Sequence, residues 1–290
     1  MRNIDFNKYQ SALIIGNGFD LSLGLKTSYK DFIESDYFTS LLNENNTLAL
    51  HLLIKKEINN WVDIEKELTE YSKQIKDDKS KVKNDFKELK NALMDYLKEA
   101  QEKEINQNSK AFEMMKNEIL DTDIVYNFNY TNSVFKVAEI LGISDIESKH
   151  SFVHGSIENK NIIFGVEDDA RINDNHIFFK KSYNLNFAES NIIRILNINI
   201  SGEKINLVIF GHSLGITDSS YFRNYFSSLI SKNSNSNLKL YHFGEEAYDD
   251  MMCIIDKYTS NHLTDFKHYN NLDFIDSLVW FDNLIGKDKW

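Results

Sequence analysis

The chain has 290 residues, enough for one large α/β domain or a domain carrying a sizeable insertion. A hydrophobic content of 42%, with 20 Phe and 14 Tyr, provides for a substantial core and excludes disorder throughout. The net charge of −11 excludes a broad nucleic-acid surface, because phosphate binding needs a basic face.

The opening "MRNIDFNKYQ" is polar and lacks the apolar core of a signal peptide. No apolar run reaches the length that spans a bilayer, so no membrane association is expected. The single cysteine, Cys253, cannot form an internal disulfide and suits a reducing compartment. A cytoplasmic protein is expected. "SALIIGNGFD" (11–20) reads as a buried first strand entering a glycine loop. A helix is expected to begin at Ser28, where Ser28 and Asp31 fit a capping box.

Residues 46–118 change character and read as a helical insertion between 1–45 and 119–290. Ile58, Trp61, Ile64, Leu68, Tyr71 and Ile75 recur at helical spacing; Val82, Phe86, Leu89, Leu93 and Tyr96 repeat it after the charged "KDDKS". Two long helices folded as a hairpin account for both stripes. From Thr122 the α/β pattern returns, with strands expected at "TDIVYNF", "NIIFGV" (161–166), "INLVIFG" (205–211) and "LKLYHFG" (238–244). Asn132 is placed to cap a helix carrying Val134, Phe135, Ala138 and Leu141. Residues 167–190 have no clean period and read as an irregular surface loop, and Tyr221–Ile230 form a helical stripe after Asp218. The alternation predicts a doubly wound, mostly parallel, Rossmann-like sheet.

"GHSLG" (211–215) spells the nucleophile elbow of serine α/β-hydrolases. That elbow needs a helix directly after the serine, whereas a seven-residue loop, 212–218, follows the strand and ends at Asp218, which itself reads as an N-cap. A triad could be assembled from Asp249 or Asp256 with His262 or His268, but the chain is rich in acids and lacks an upstream oxyanion motif. "GFDLSLGLKTS" (18–28) approaches a P-loop, yet five residues separate Gly18 from Gly24, and Leu25 intervenes before Lys26. No metal-binding spacing occurs.

Strand ends share another property. Gly16-Asn17-Gly18, Asn127-Phe128-Asn129-Tyr130-Thr131, His154-Gly155-Ser156 and Gly211-His212-Ser213 all follow apolar runs. Open α/β sheets bind ligands beyond the carboxyl ends of their strands, so these groups should meet in one crevice. Each also has a plain reading as a turn or a cap.

Together, "LIIGNGFDLSLGLKTSYKDF", "WVDIE", "FNYTN", "HGS" and "GHSLGITD" resemble the bacteriophage abortive-infection AbiH family of defence proteins, from near the N-terminus to about residue 230. The framework also resembles sirtuin-like NAD-binding domains, with Gly16, Gly18 and Gly24 at the sirtuin glycine spacing. The resemblance implies a nucleotide ligand, NAD or a relative, with no further cofactor and no metal. It implies His154 as general base, Asn129 positioning ribose or water, and Ser213 as a hydrogen-bonding group at the adenine-side ribose. Gly16, Asn17, Gly18, Asp20, Gly24, Thr131, Gly155, Ser156, Gly211, Ser213 and Asp218 become the candidate binding residues.

Cleavage of a nicotinamide–ribose bond passes through an oxocarbenium-like state, and a near-neutral histidine suits the proton transfer. Lys26 stands where sirtuins carry proline, and two further departures from the sirtuin-like pattern stand out: Thr131 replaces an aspartate, and Asp20 replaces a serine, putting a charge beside the expected phosphate loop. In "NNWVDIEKEL", Asn60 and Asp63 read as a helix cap, while Glu65 lies at the edge of the apolar face and is a candidate to stabilise a ribosyl cation. The expectation is an abortive-infection protein hydrolysing NAD or a related nucleotide. The alternatives are a nucleotide-bound sensor or toxin partner without turnover, and a serine hydrolase. A protein partner, a phage-derived trigger and a homo-oligomer are all compatible with the acidic surface.

Overall fold

The computed structural model describes residues 11–59, 64–75, 78–184 and 205–278. Six strands form one sheet: β1 (Ser11–Ile15), β2 (Ile124–Asn127), β3 (His150–Phe152), β4 (Asn206–Phe210), β5 (Asn237–His242) and β6 (Asn271–Asp276). Their order is β3-β2-β1-β4-β5-β6 and every pairing is parallel. The order reverses direction between β1 and β4, so the loops leaving these neighbours diverge and open a crevice.

β1, β2 and β4 are short, mainly apolar runs because both faces are covered. Along β1, Ala12 and Ile14 pack on one face with Tyr126, Ile209 and Leu240, while Leu13 and Ile15 pack on the other with Val125 and Phe210. The first face is covered by α11 (Ser219–Ser228), α12 (Gly244–Tyr258) and α13 (Leu263–Tyr269), through Phe222, Phe226, Ile255 and Phe266. The second is covered by α1 (Asn17–Ser22), α7 (Lys110–Glu118) and α8 (Ser133–Ile140), through Phe19, Met115 and Val134. Burying each such side chain contributes about 1.5–3 kcal/mol. A short α9 (Ile146–Lys149) leads into β3.

A third apolar cluster joins α2 (Tyr29–Ile33), α3 (Asp36–Asn43), α4 (Thr47–Asn59), α5 (Ile64–Gln74) and α6 (Lys79–Ala100) to Ile157, Phe164, Phe178 and Phe179. The capping box at Ser28 is present: Ser28 Oγ accepts from the Asp31 N–H at 3.1 Å, and Asp31 Oδ2 accepts from the Ser28 N–H at 3.3 Å. The first apolar stripe is not one helix. His51 Nε2 and Glu67 Oε2, 16 residues apart, stand 3.2 Å from each other, whereas a continuous helix would separate them by about 24 Å. Hence α4 and α5 fold back on one another. The following helix, α6, reaches the same end, where Asp85 Oδ2 accepts from the Thr47 N–H at 3.0 Å. The expected two-helix hairpin is therefore three helices; Asn60, Trp61 and Asp63, with the expected cap, lie outside the described residues.

Other expectations change too. "NIIFGV" makes no strand: only an isolated bridge joins Val166 to Lys180, and Phe164 is buried in the helical layer. β3 and β6, at the sheet edges, were too short or too polar to read as strands. The described part of the 167–190 segment is not a surface loop, because Phe178, Phe179 and Lys181 are buried. It ends in a single helical turn, α10 (Lys181–Asn184). Asn132 precedes α8, but its side chain does not cap that helix. Among the described residues, no helix is long and apolar enough to cross a membrane.

Candidate functional site

Loops after β1, β2, β3 and β4 meet at the carboxyl edge of the sheet and, with α5 and α6, enclose a cleft of about 500 Å³. That volume suits a small ligand. A smaller cavity, about 360 Å³, opens at the amino edge, but there Lys239 and Glu118 satisfy each other at 2.8 Å. The ionisable groups converge at the carboxyl edge.

Gly16 and Gly211 are required by packing between two loops. A Cβ on Gly16 would stand 2.6 Å from the Gly211 carbonyl oxygen, and Gly211 itself has φ +68°, a region that favours glycine. The Gly16 N–H donates to the Phe210 carbonyl at 3.0 Å and the Gly18 N–H to the Gly211 carbonyl at 2.9 Å. These N–H groups tie β1 to β4, which corrects the expectation that they stand free for a diphosphate. Gly24 has φ +87° in the turn after α1, with only Asn106 near its would-be Cβ. The P-loop likeness also dissolves, since α1 precedes Gly24 instead of following Lys26.

Asp20 is fully buried. Its carboxylate accepts from Thr131 Oγ1 at 2.5 Å, Ser133 Oγ at 2.5 Å and Asn129 Nδ2 at 3.0 Å. Burial pushes the carboxyl up to about 6, against the lowering effect of these three donors. Asp20 and Thr131, the two departures, are therefore bonded partners, and the charge is turned onto protein donors. Asn129 also gives an N–H to the Gly16 carbonyl at 3.2 Å, so both of its amide hydrogens are committed. What remains of Asn129 for a ligand is Oδ1, an acceptor.

A second acid, Asp218, lines the same cleft with its side chain 15% exposed. It sits just before α11 at the expected cap position, yet its side chain does not cap. Instead Oδ1 accepts from Lys181 Nζ at 2.8 Å and Oδ2 lies 3.3 Å from His212 Nε2. His154 Nε2 is 3.2 Å from Oδ1 but outside hydrogen-bond alignment. The Leu214 N–H donates to His212 Nδ1 at 3.0 Å, so the proton of neutral His212 is on Nε2, facing Asp218. Lys181 gives its other donors to Glu65 Oε2 at 2.9 Å and the Thr217 carbonyl at 2.7 Å. All three ammonium hydrogens thus have acceptors.

Burial alone would lower the Lys181 ammonium, but Asp218 and Glu65 hold it well above its ordinary range. Burial alone would raise Asp218, and Lys181 with His154 holds it well below. Burial lowers the His154 imidazole, only partly opposed by Asp218, which leaves the ring neutral near pH 7. Aromatic side chains frame it: Phe128 edge-on at 5.2 Å, Tyr221 at 5.6 Å and Tyr130 at 6.4 Å. Burial raises both phenols, so they stay protonated.

Of the sequence candidates, Gly16, Asn17, Asp20, Glu65, Asn129, Thr131, His154, Gly211, Ser213 and Asp218 line the cleft. Gly18, Gly24, Gly155 and Ser156 do not. Gly155, at φ +74°, makes a turn against the Asn161 carbonyl, and buried Ser156 accepts from the Asn159 N–H at 3.2 Å. Ser213 is exposed, and its Oγ accepts from the Gly215 N–H at 3.3 Å; no imidazole among the described residues is bonded to it. Lys181 and His212 were not singled out as site residues. Lys181 lies in a stretch without periodicity and gave no signal, whereas His212 stood inside a strand-end motif already in view.

This is a doubly wound, Rossmann-like α/β protein whose switch-point crevice holds an acid bridging a lysine and two histidines. The family model described as "Bacteriophage abortive infection AbiH" matches residues 12–242, and the chain belongs to that family. Membership gives it a role in bacteriophage abortive infection. The match covers both acid clusters and the crevice between them. No curated protein and no solved structure matches the chain.

Proposed function

We propose that the protein hydrolyses the N-glycosidic bond of NAD or a related nucleotide, in the cytoplasm, with His154 as general base. The observation that carries this reading is a neutral imidazole, His154, among the residues that line the switch-point crevice. Water attacks C1′ of the ribose, its proton passes to the His154 imidazole, and the glycosidic electron pair leaves with the base. Asn129 Oδ1 accepts from a ribose hydroxyl. Ser213, exposed on the β4 loop, serves as a hydrogen-bonding group and not as a nucleophile.

The strand order, the glycine loop and the histidine after β3 support a sirtuin-like version of this fold. One detail alters how the ligand is held. With the Gly16 and Gly18 N–H groups bound to β4 and its loop, phosphate falls to Lys30, an exposed cleft-lining lysine without an ion pair among the described residues. Nicotinamide release from NAD by the pure protein, with His154→Ala as control, tests the reading. Release that survives His154→Ala overturns His154 as base; absence of release overturns hydrolysis.

Binding without turnover is a second reading, favoured by the 2.9 Å pair between Glu65 and Lys181. That pair offsets the charge a ribosyl cation would call on. NAD binding by calorimetry without nicotinamide release identifies this case.

A further inference from the structure

Asp218 has three claimants and two oxygens. Lys181 holds Oδ1 at 2.8 Å and His212 approaches Oδ2 at 3.3 Å. His154 shares Oδ1 at 3.2 Å without alignment. An ammonium with all donors satisfied is poorly suited to bind phosphate or to act as a nucleophile, so Lys181 acts on its neighbours. We infer that Lys181 is a positioning residue: it holds Asp218 Oδ1 in an aligned bond and so denies that bond to His154.

The physical argument is competition for one acceptor. A charge-assisted bond from a primary ammonium is stronger than one from a neutral imidazole N–H, so the lysine takes the aligned position. Without Lys181, Asp218 turns onto His154, accepts from Nε2–H and stabilises the imidazolium. The base would then titrate higher.

The groups facing His154 come from several elements. Asp218 and His212 come from the β4 loop, Lys181 from α10, Tyr130 from the β2 loop and Tyr221 from α11. Glu65 of α5 stands behind Lys181. The two phenols are neutral, so Asp218 and Lys181 are the formal charges closest to the competition. Residues from the helical layer and the sheet thus meet at one ammonium. The chain leading to α10 is tied to α5, where Ser72 accepts from the Asn173 N–H at 2.9 Å and lies 2.9 Å from His176 Nδ1.

This inference rests on the reading of His154 as base, and its test separates the two. Imidazole NMR titrations of the full chain, assigned with His154→Gln, are compared for wild type, Lys181→Met and Lys181→Arg. Lys181→Met should move the His154 titration up by about one pH unit. Nicotinamide release at pH 7 should fall roughly tenfold, with the acid limb of its pH profile moving alike. Lys181→Arg should restore both. Should Lys181→Met fail to fold, Lys181→Met with Glu65→Gln removes the stranded acid and carries the same titration. A purely structural lysine would change stability and leave the His154 titration in place, which overturns the inference. A moved titration in a protein that releases no nicotinamide supports Lys181 and overturns the NAD reading alone.

Discussion

Asp20 and Asp218 stand at the same edge of the sheet, the first fully buried and the second with its side chain 15% exposed, and their surroundings drive them in opposite directions. Asp20 is met by neutral donors: two hydroxyls and an amide. Those bonds do not repay the loss of water, and its carboxyl rises to about 6. Asp218 meets an ammonium at 2.8 Å and is held ionised. Burial therefore does not decide whether an acid is charged; the charge on its donors does. The first acid is a strut joining the β1 and β2 loops. The second is a charged centre that two histidines can use.

Removing the charge centre should have the largest effect. Asp218→Ala leaves Lys181 with Glu65 as its one remaining ion-pair partner and strands the His212 Nε2–H, so denaturant unfolding should show a loss of about 3–5 kcal/mol. Turnover should vanish with it. An Asp218→Ala protein as stable and active as wild type would dissolve the distinction between the two acids.

Asp20→Ala should lose less, about 1–3 kcal/mol, because neutral donors are left without an acceptor. The two acids should also differ in the sign of their pH response. Native Asp20 keeps its proton up to about pH 6, against an ordinary value of 3.8. The native state therefore binds more protons across that window, and stability from this group falls as pH rises through it, by roughly 3 kcal/mol. Asp218 behaves in reverse: its stabilisation is present above the ordinary carboxylate range and is lost as pH falls through its lower native value. Unfolding measured at pH 5 and pH 7.5 should show Asp20→Asn improving relative to wild type at the higher pH. A constant difference would contradict the raised carboxyl.

His154→Gln should separate chemistry from stability. We expect nicotinamide release to fall about 10²–10⁴-fold, with the unfolding midpoint almost unmoved because no aligned hydrogen bond is removed. Lys30→Glu, on the rim, should raise the KM for NAD by about tenfold, equivalent to about 1.4 kcal/mol, and leave kcat alone. The smallest effect belongs to Ser213→Ala. Its hydroxyl accepts only from the nearby Gly215 N–H, so kcat should stay within about twofold and a fluorophosphonate probe should label neither protein.

The amino-acid pattern by itself determined the strands that run through the middle of the sheet. β1, β2 and β4 are buried on both faces along most of their length, and such strands must be mainly apolar, while β5 was legible from Leu238, Leu240 and Tyr241. The same logic exposed the strand-end groups, because a polar or glycine-rich stop after an apolar run marks the carboxyl edge. It also exposed the Ser28 cap, a purely local hydrogen-bond pattern. The elbow was legible as a false likeness for the same reason, since a sharp turn is a local requirement and the helix begins too late.

Tertiary structure alone decided what those polar groups do. Asp20 and Thr131 are 111 residues apart, and nothing local says that one will neutralise the other's apparent misfit. The fold-back between α4 and α5 was hidden because a helical stripe keeps its period on both sides of a reversal. Lys181 came from a stretch with no period at all, and its importance lies wholly in Glu65 and Asp218, which arrive from distant elements. Periodicity reports which face of an element meets the core; it carries no information about which distant charge will be waiting there.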